Sequence, residues 1–213
     1  MSRDFINDEI LADYASGALA PGMSLLVAAH LTYSPGARAR VSGFETIGGA
    51  LLEETPAADF APPSLERALA MLDAVHVDAP RPVPLRTNSV LPSCLRAALG
   101  VDEHDAPWKF RLPGLAEAEL GTLDGEEISL LRAKPGARIF SHTHEGIEAT
   151  LVLCGALEDR GRVYRRGDVA IATEDDDHRP RILDEGVCIS FVVSSGRMRF
   201  TGPFSRALNF LAE

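Results

Sequence analysis

The chain has 213 residues, 46% of them hydrophobic, and a formal net charge of −10, which suits one large or two small domains with real cores and argues against disorder. No apolar run approaches the ~20 residues that span a bilayer, and Met1 to Asp4 lacks the basic-then-apolar layout of a secretion signal, so a cytoplasmic protein without a membrane partner is expected. Lys109 and Lys134 are the only lysines and no basic stripe exists, so direct contact with nucleic acid is not expected.

Taken in chain order, residues up to about Val75 read as four helices. Asn7 caps a first helix with Asp8 and Glu9 in its opening turn and Ile6, Ile10 and Tyr14 on one face, ended by Ala20-Pro21-Gly22. Met23, Leu26, Val27, His30 and Leu31 form the stripe of a second, which Pro35-Gly36 stops. A third runs through Val41, Phe44, Ile47 and Leu51, with Gly48-Gly49 marking close helix approach or local weakness. The loop from Thr55-Pro56 to Pro62-Pro63 then frees a fourth helix, with Leu65, Ala68, Leu69 and Leu72 on one face, to act as an arm. Up to Leu85 there are eleven acidic against five basic residues, a surface suited to a basic protein partner.

Ala79-Pro80-Arg81-Pro82-Val83-Pro84 reads as a stiff, extended connector, which divides the chain into a helical unit, residues 1–84, and a second unit, residues 85–213. Beyond Trp108 the pattern changes to short β-rich runs, Trp108 to Leu112, Ile128 to Arg132, Thr150 to Cys154, Val169 to Ala172 and Val187 to Val193. Gly and Pro punctuate them as in a sandwich or barrel. Cys94, Cys154 and Cys188 are too scattered for a disulfide scaffold, and Cys154 and Cys188 read as small core hydrophobes. His76 and His104 sit in linker-like surroundings and receive no role.

Chemistry concentrates between Gly136 and His178. On a strand His142 and His144 project from one face, Glu148 follows a bend at Gly146, and His178 arrives on a second strand after a hairpin-like turn from Gly167. A lone His-x-His is commonly a solvated pair. Three imidazoles and a carboxylate together can hold one divalent metal, with Zn favoured and Fe, Mn or Ni also served by this set, and with room for water or a small ligand. Glu174 to Asp177 reads as a solvated loop rather than a second site.

This spacing resembles the first motif of the cupin superfamily at every fixed position: Gly136, His142, His144, Glu148 and Gly155. In the second motif Gly167 and His178 are in register, while Thr173, Asp175 and Ile182 replace its Pro, Gly and Asn, which affects the turn rather than the ligands. The whole chain, an acidic helical region followed by a cupin, resembles anti-sigma factors of the ChrR type, on Leu11 to Leu19, Ser24 to Leu31 and Gly48 to Thr55. The resemblance implies a multi-domain α + β protein, an anti-sigma-like helical domain and a jelly-roll cupin. Its helices would sequester an extracytoplasmic-function (ECF) sigma factor, and its cupin would sense an oxidative or chemical signal. A homodimer is compatible with it.

One departure is large. The family's zinc module uses an upstream His and a His-x-x-x-Cys-x-x-Cys run, whereas here His30 is followed by Ser34 and Ala37 and no histidine precedes it. A metal-free helical domain with His30 in its core is therefore expected. Ser190 stands two residues after Cys188, so no local dithiol switch is expected there. The competing expectation is a cupin metalloenzyme of dioxygenase or isomerase type, for which Glu145 or Asp175 is the only candidate base.

Overall fold

In the computed structural model, residues 6–59, 61, 63–74 and 88–202 are described. The connector at Ala79 to Pro84, the division after residue 84, and His76 lie outside them. Helix α1 (Asp8–Ser16) starts where the Asn7 side chain accepts the Ile10 amide at 3.0 Å, and stops at Gly17, in the left-handed region at φ 75°. Pro21 opens helix α2 (Pro21–Tyr33) instead of merely closing α1, and Pro35 likewise opens α3 (Pro35–Glu53). A proline at the first helical position gives up an amide that has no partner there anyway.

The positions expected to have lost metal ligands are filled structurally. Ser34 caps α3, its Oγ accepting the Ala37 amide at 3.1 Å, and both residues are buried. His30 is buried as expected. The reading of Gly48-Gly49 as a close helix approach does not hold within the described chain, since a Cβ at either would meet nothing within 4 Å. Around them Ile47, Leu51 and Leu52 are exposed. Helix α4 (Ser64–Ala74) has no buried residue, and Leu65, Leu69, Met71 and Leu72 all face solvent. A short α5 (Ser93–Leu99), unforeseen in the sequence, buries Leu95 and packs on α2.

Eleven strands follow among the described residues. A six-stranded antiparallel sheet has the order β1 (Lys109–Leu112), β2 (Leu115–Leu123), β3 (Glu126–Ala133), β10 (Cys188–Ser194), β5 (Glu148–Cys154), β8 (Val169–Ala172). Facing it are β7 (Arg162–Arg165), β6 (Ala156–Asp159) and β9 (Arg181–Ile182) in one small sheet, and β4 (His142–His144) with β11 (Met198–Phe200) in another. The two-residue period of β10 separates two environments: Ile189, Phe191 and Val193 point to the helices, whereas Cys188 and Ser190 line the space between the sheets.

Three layers result, namely helices, large sheet and small sheets. Ile6, Leu11, Leu26, Val27 and Leu95 from the helices share one core with Ile128, Leu130, Leu151 and Phe191 of the large sheet. Helix α2 is central, in contact with α1, α3, α5 and three strands, which explains why it is apolar nearly all round instead of on one stripe. No single helix among the described residues is long and apolar enough to cross a membrane, and α1 and α2 meet at 109°.

Candidate metal centre

The four predicted donors meet between the large sheet and the small sheets. In β4, His142 and His144 share the inward face, and both are 2% exposed. His178 is locked opposite His142 by a reciprocal backbone pair, with N···O distances of 3.1 and 3.0 Å. Glu148 opens β5 after the bend at Glu145-Gly146. One donor atom from each of the four residues lies within 4.8 Å of every other.

The ring orientations are set by hydrogen bonds on the far side of the rings. His142 Nδ1 donates to the Phe140 carbonyl at 2.7 Å, and His178 Nδ1 to Asp159 Oδ2 at 3.0 Å, which leaves both Nε2 atoms as lone pairs turned to the common centre. Asp159 was not foreseen. It ends β6, three per cent exposed, and is followed by an Arg160-Gly161 turn with both residues at positive φ. Its Oδ2 also takes Arg160 Nε at 3.3 Å. Burial alone would raise the Asp159 carboxyl, but His178 and Arg160 prevail and hold it below the ordinary range.

Whether a metal fits can be judged from His144. Its Nε2 lies 3.1 Å from His178 Nε2 and 3.6 Å from Glu148 Oε2. With metal–nitrogen bonds of about 2.0–2.1 Å, two nitrogens on one ion lie about 3.0–3.4 Å apart, so the first distance suits a shared ion. The buried Nδ1 of His144 has no hydrogen-bond partner. The polar neighbours of His144, His178 Nε2 and Glu148 Oε2, thus lie on its Nε2 side, where a shared cation would sit. The set fits a divalent metal. Glu148 keeps 20% of its side chain accessible, and the centre opens on a cavity of 840 Å³ whose wall includes Leu115, Leu131, Leu157, Ile182 and Cys188.

Burial, reinforced by the neighbouring imidazoles, pushes His142 and His144 down to about 4, so both are neutral and ready to ligate at pH 7. Burial raises Glu148. A histidine whose folded pKa lies below its unfolded value near 6.5 contributes stability that is complete above 6.5 and lost as pH falls toward 4. Glu148 acts in the opposite sense, losing stability as pH rises from the ordinary carboxylate value. In chelated E148Q protein, which lacks that opposing carboxyl, a lower urea midpoint is expected at pH 5 than at pH 7. An unchanged midpoint would contradict the burial of neutral imidazoles.

Other expectations are placed as follows. Glu145 and Asp175, the candidate bases of an enzyme, are exposed and absent from the cavity wall. In the Glu174–Asp177 loop, Asp176 Oδ2 accepts the Thr173 amide at 2.9 Å and Oδ1 pairs with Arg160, which closes the turn where the cupin motif has Pro and Gly. Cys188 is 2% exposed, its Sγ 3.8 Å from Ser190 Oγ, and burial pushes its thiol up to about 11, so at neutral pH it is a poor nucleophile. Cys154 is half-buried. Asp102, Glu103 and His104 also place donors together, but Glu103 is engaged by Ser89 Oγ at 2.6 Å and the Val90 amide at 2.9 Å, and Asp102 Oδ1 by His104 Nδ1 at 2.8 Å. They staple the loop before α5 to the loop after it.

Residues 96–197 match the family described as the ChrR cupin-like domain. Across both halves, the chain is 34% identical over 201 residues to the anti-sigma-E factor ChrR of Cereibacter sphaeroides, covering 93% of this chain and 92% of that one. The chain belongs to the ChrR family. The ChrR chain in the crystal structure of Rhodobacter sphaeroides SigE in complex with the anti-sigma ChrR superposes with a TM-score of 0.77 at 30% identity, over 91% of this chain and all of that chain. The expected helical region plus cupin is thus the observed architecture of a ChrR-family protein.

Proposed function

We propose that this protein is an anti-sigma factor that sequesters an ECF-type sigma factor through its helical unit and senses an oxidative or chemical signal through a metal-loaded cupin. The observation that carries this reading is the match over both halves to a chain crystallised with its sigma factor. The exposed apolar side chains of α3 and α4 support it, because Ile47, Leu51, Leu52, Leu65, Leu69, Met71 and Leu72 form helix faces that the described chain leaves uncovered. On the same two helices or at their ends, Glu45, Glu53, Glu54, Glu66 and Asp73 outnumber Arg38, Arg40 and Arg67, an acidic excess that suits a basic partner. In this reading the helical unit ends near residue 84, the protein acts in the cytoplasm, and it touches DNA only through its partner.

His142, His144, Glu148 and His178 hold one divalent metal, zinc by preference for a set rich in imidazole. Such a metal supplies a Lewis-acid centre to which a small signal molecule, or one of its oxidising atoms, can bind through the cavity. The chain's own residues orient that centre: Phe140 and Asp159 fix two imidazoles, and Thr150 Oγ1 reaches Glu148 Oε1 at 3.4 Å. The signal lowers sigma affinity only if it binds or modifies the free form in preference to the complexed one. Calorimetry of the purified full chain with its cognate ECF sigma factor tests the reading. A one-to-one complex with Kd below 1 µM, on the order of −8 kcal/mol, is expected, and no association would overturn it.

A further inference from the structure

Helix α2 is clamped to the cupin at both ends, by different means. At its start Ala20 provides no capping side chain. The cap comes from β3 instead: buried Glu126 accepts the Gly22 amide at 2.7 Å and the Met23 amide at 3.3 Å. The approach is so close that a Cβ on Gly22 would stand 2.7 Å from Glu126 Oε2 and 2.8 Å from Ile128 Cδ1. At its other end His30 Nδ1 donates to the Gly167 carbonyl at 2.7 Å. Tyr33 lies directly on Gly167, whose added Cβ would fall 2.6 Å from Tyr33 Cβ, and the Arg166 guanidinium sits 5.1 Å from the Tyr33 ring centroid. Gly167 is at φ +90°, so both its backbone conformation and its contact call for glycine.

The second clamp is on a particular strip of chain. From Asp159 to His178 the polypeptide leaves the metal centre, turns at Arg160-Gly161, runs along β7, turns again at Gly167 under α2, and returns along β8. Its two ends are bonded to each other through Asp159 Oδ2 and His178 Nδ1. Arg160 braces the strip internally, reaching Asp159, the Ile171 carbonyl at 2.6 Å and Asp176. The Gly167 amide is fixed on β5 by the Val152 carbonyl at 2.8 Å. The strip therefore has its ends at the donor cluster and its middle against the helix.

We infer that residues 159–178 couple the metal centre to α2, so that metal binding at His178 and the docking of His30 and Tyr33 on Gly167 strengthen one another. This rests on the metal reading proposed above. An ion that holds His178 Nε2 also holds Asp159 through Nδ1, which pins both ends of the strip and fixes the carbonyl that His30 needs. Reciprocity follows from linkage: whatever factor the ion adds to the docking of α2, loss of the docking removes from metal affinity. Glu126, outside the strip, anchors the other end of α2 and is a positioning residue without that coupling.

Hydrogen exchange on the full chain, chelated and then loaded with Zn²⁺ alone, tests the inference. Amides of 28–33 and 165–168 are expected to slow at least 5-fold on loading, more than amides of β2, which lies away from the strip. Replacing His30 with leucine, H30L, is expected to weaken zinc binding about 5-fold, with H30Q, which keeps a donor, restoring much of it, while E126Q stays within twofold of the parent. Equal slowing in all elements, or none at 28–33 with zinc bound, would overturn the coupling and leave the metal site standing. Failure of the parent chain to bind zinc would remove both. The exchange comparison needs no variant to fold.

Discussion

Replacing Leu51, Leu52, Leu69 and Leu72 together with aspartate is expected to weaken the complex with the sigma factor at least 100-fold while leaving the melting temperature within 2 °C of the parent. The asymmetry follows from where these side chains are. They are 63%, 73%, 53% and 71% exposed, respectively, so the free protein loses almost no buried surface. If they become the centre of an interface, each Leu buries apolar area worth about 1.5–3 kcal/mol, and an introduced carboxylate would be desolvated as well. Two such anchors already amount to a loss of two orders of magnitude or more. Calorimetry and a thermal melt on the same preparation read both quantities. Unchanged sigma affinity would move the interface off α3 and α4, and a collapse of the melt would mean that these helices have an intramolecular role.

The second large effect concerns the ligands. Alanine at His144 or His178 is expected to lower metal affinity well over 100-fold, because each removal takes one of four donors and leaves the others facing an incomplete shell. D159N should be milder, on the order of 10- to 100-fold, the range found for partners that orient a ligand. Its effect is transmitted through His178, whose Nδ1 it would no longer hold with a charged acceptor. Competition with a zinc chelator of known affinity gives the order parent, D159N, then H178A. Equal affinity for all three would mean that the metal is held elsewhere.

The candidate donor set was legible because most of its geometry is local. The two-residue step of His142 and His144 fixes a shared face on any strand, and Glu148 needs only the bend between them. His178 was harder, being brought in by the segment between β8 and β9 through an isolated bridge to His142, and only its register with Gly167 pointed to it. Asp159 was not legible at all: Asp159-Arg160-Gly161 reads as a hairpin turn, and the carboxylate gains its role only when β6 is laid beside the residues around His178. For the fold, helices α1 to α4 and the main inner strands followed from periodicity. Strand β2 escaped because alternating Ala, Glu and Gly residues carry little apolar signal, although its inward Ala118 is fully buried. Helix α5 is only seven residues long, too short for a helical period to emerge.

The placement of the helices on the cupin was also hidden. The run Leu25-Leu26-Val27-Ala28-Ala29 is apolar on more than one face, which is the mark of a helix covered on several sides, and α2 is indeed held between the other helices and the large sheet. The polar groups that fasten it, Glu126 and the Gly167 carbonyl, are more than a hundred residues away in sequence. No spacing rule reaches that far.

The account stands most directly on one ion bound by three imidazoles and one carboxylate. Elemental analysis of the full chain purified without added metal, followed by X-ray absorption at the edge of the metal found, measures this. It predicts close to one equivalent of a transition metal with a shell of nitrogen and oxygen, at about 2.0–2.2 Å if the metal is zinc. A substoichiometric content, or a shell containing sulfur, would contradict it.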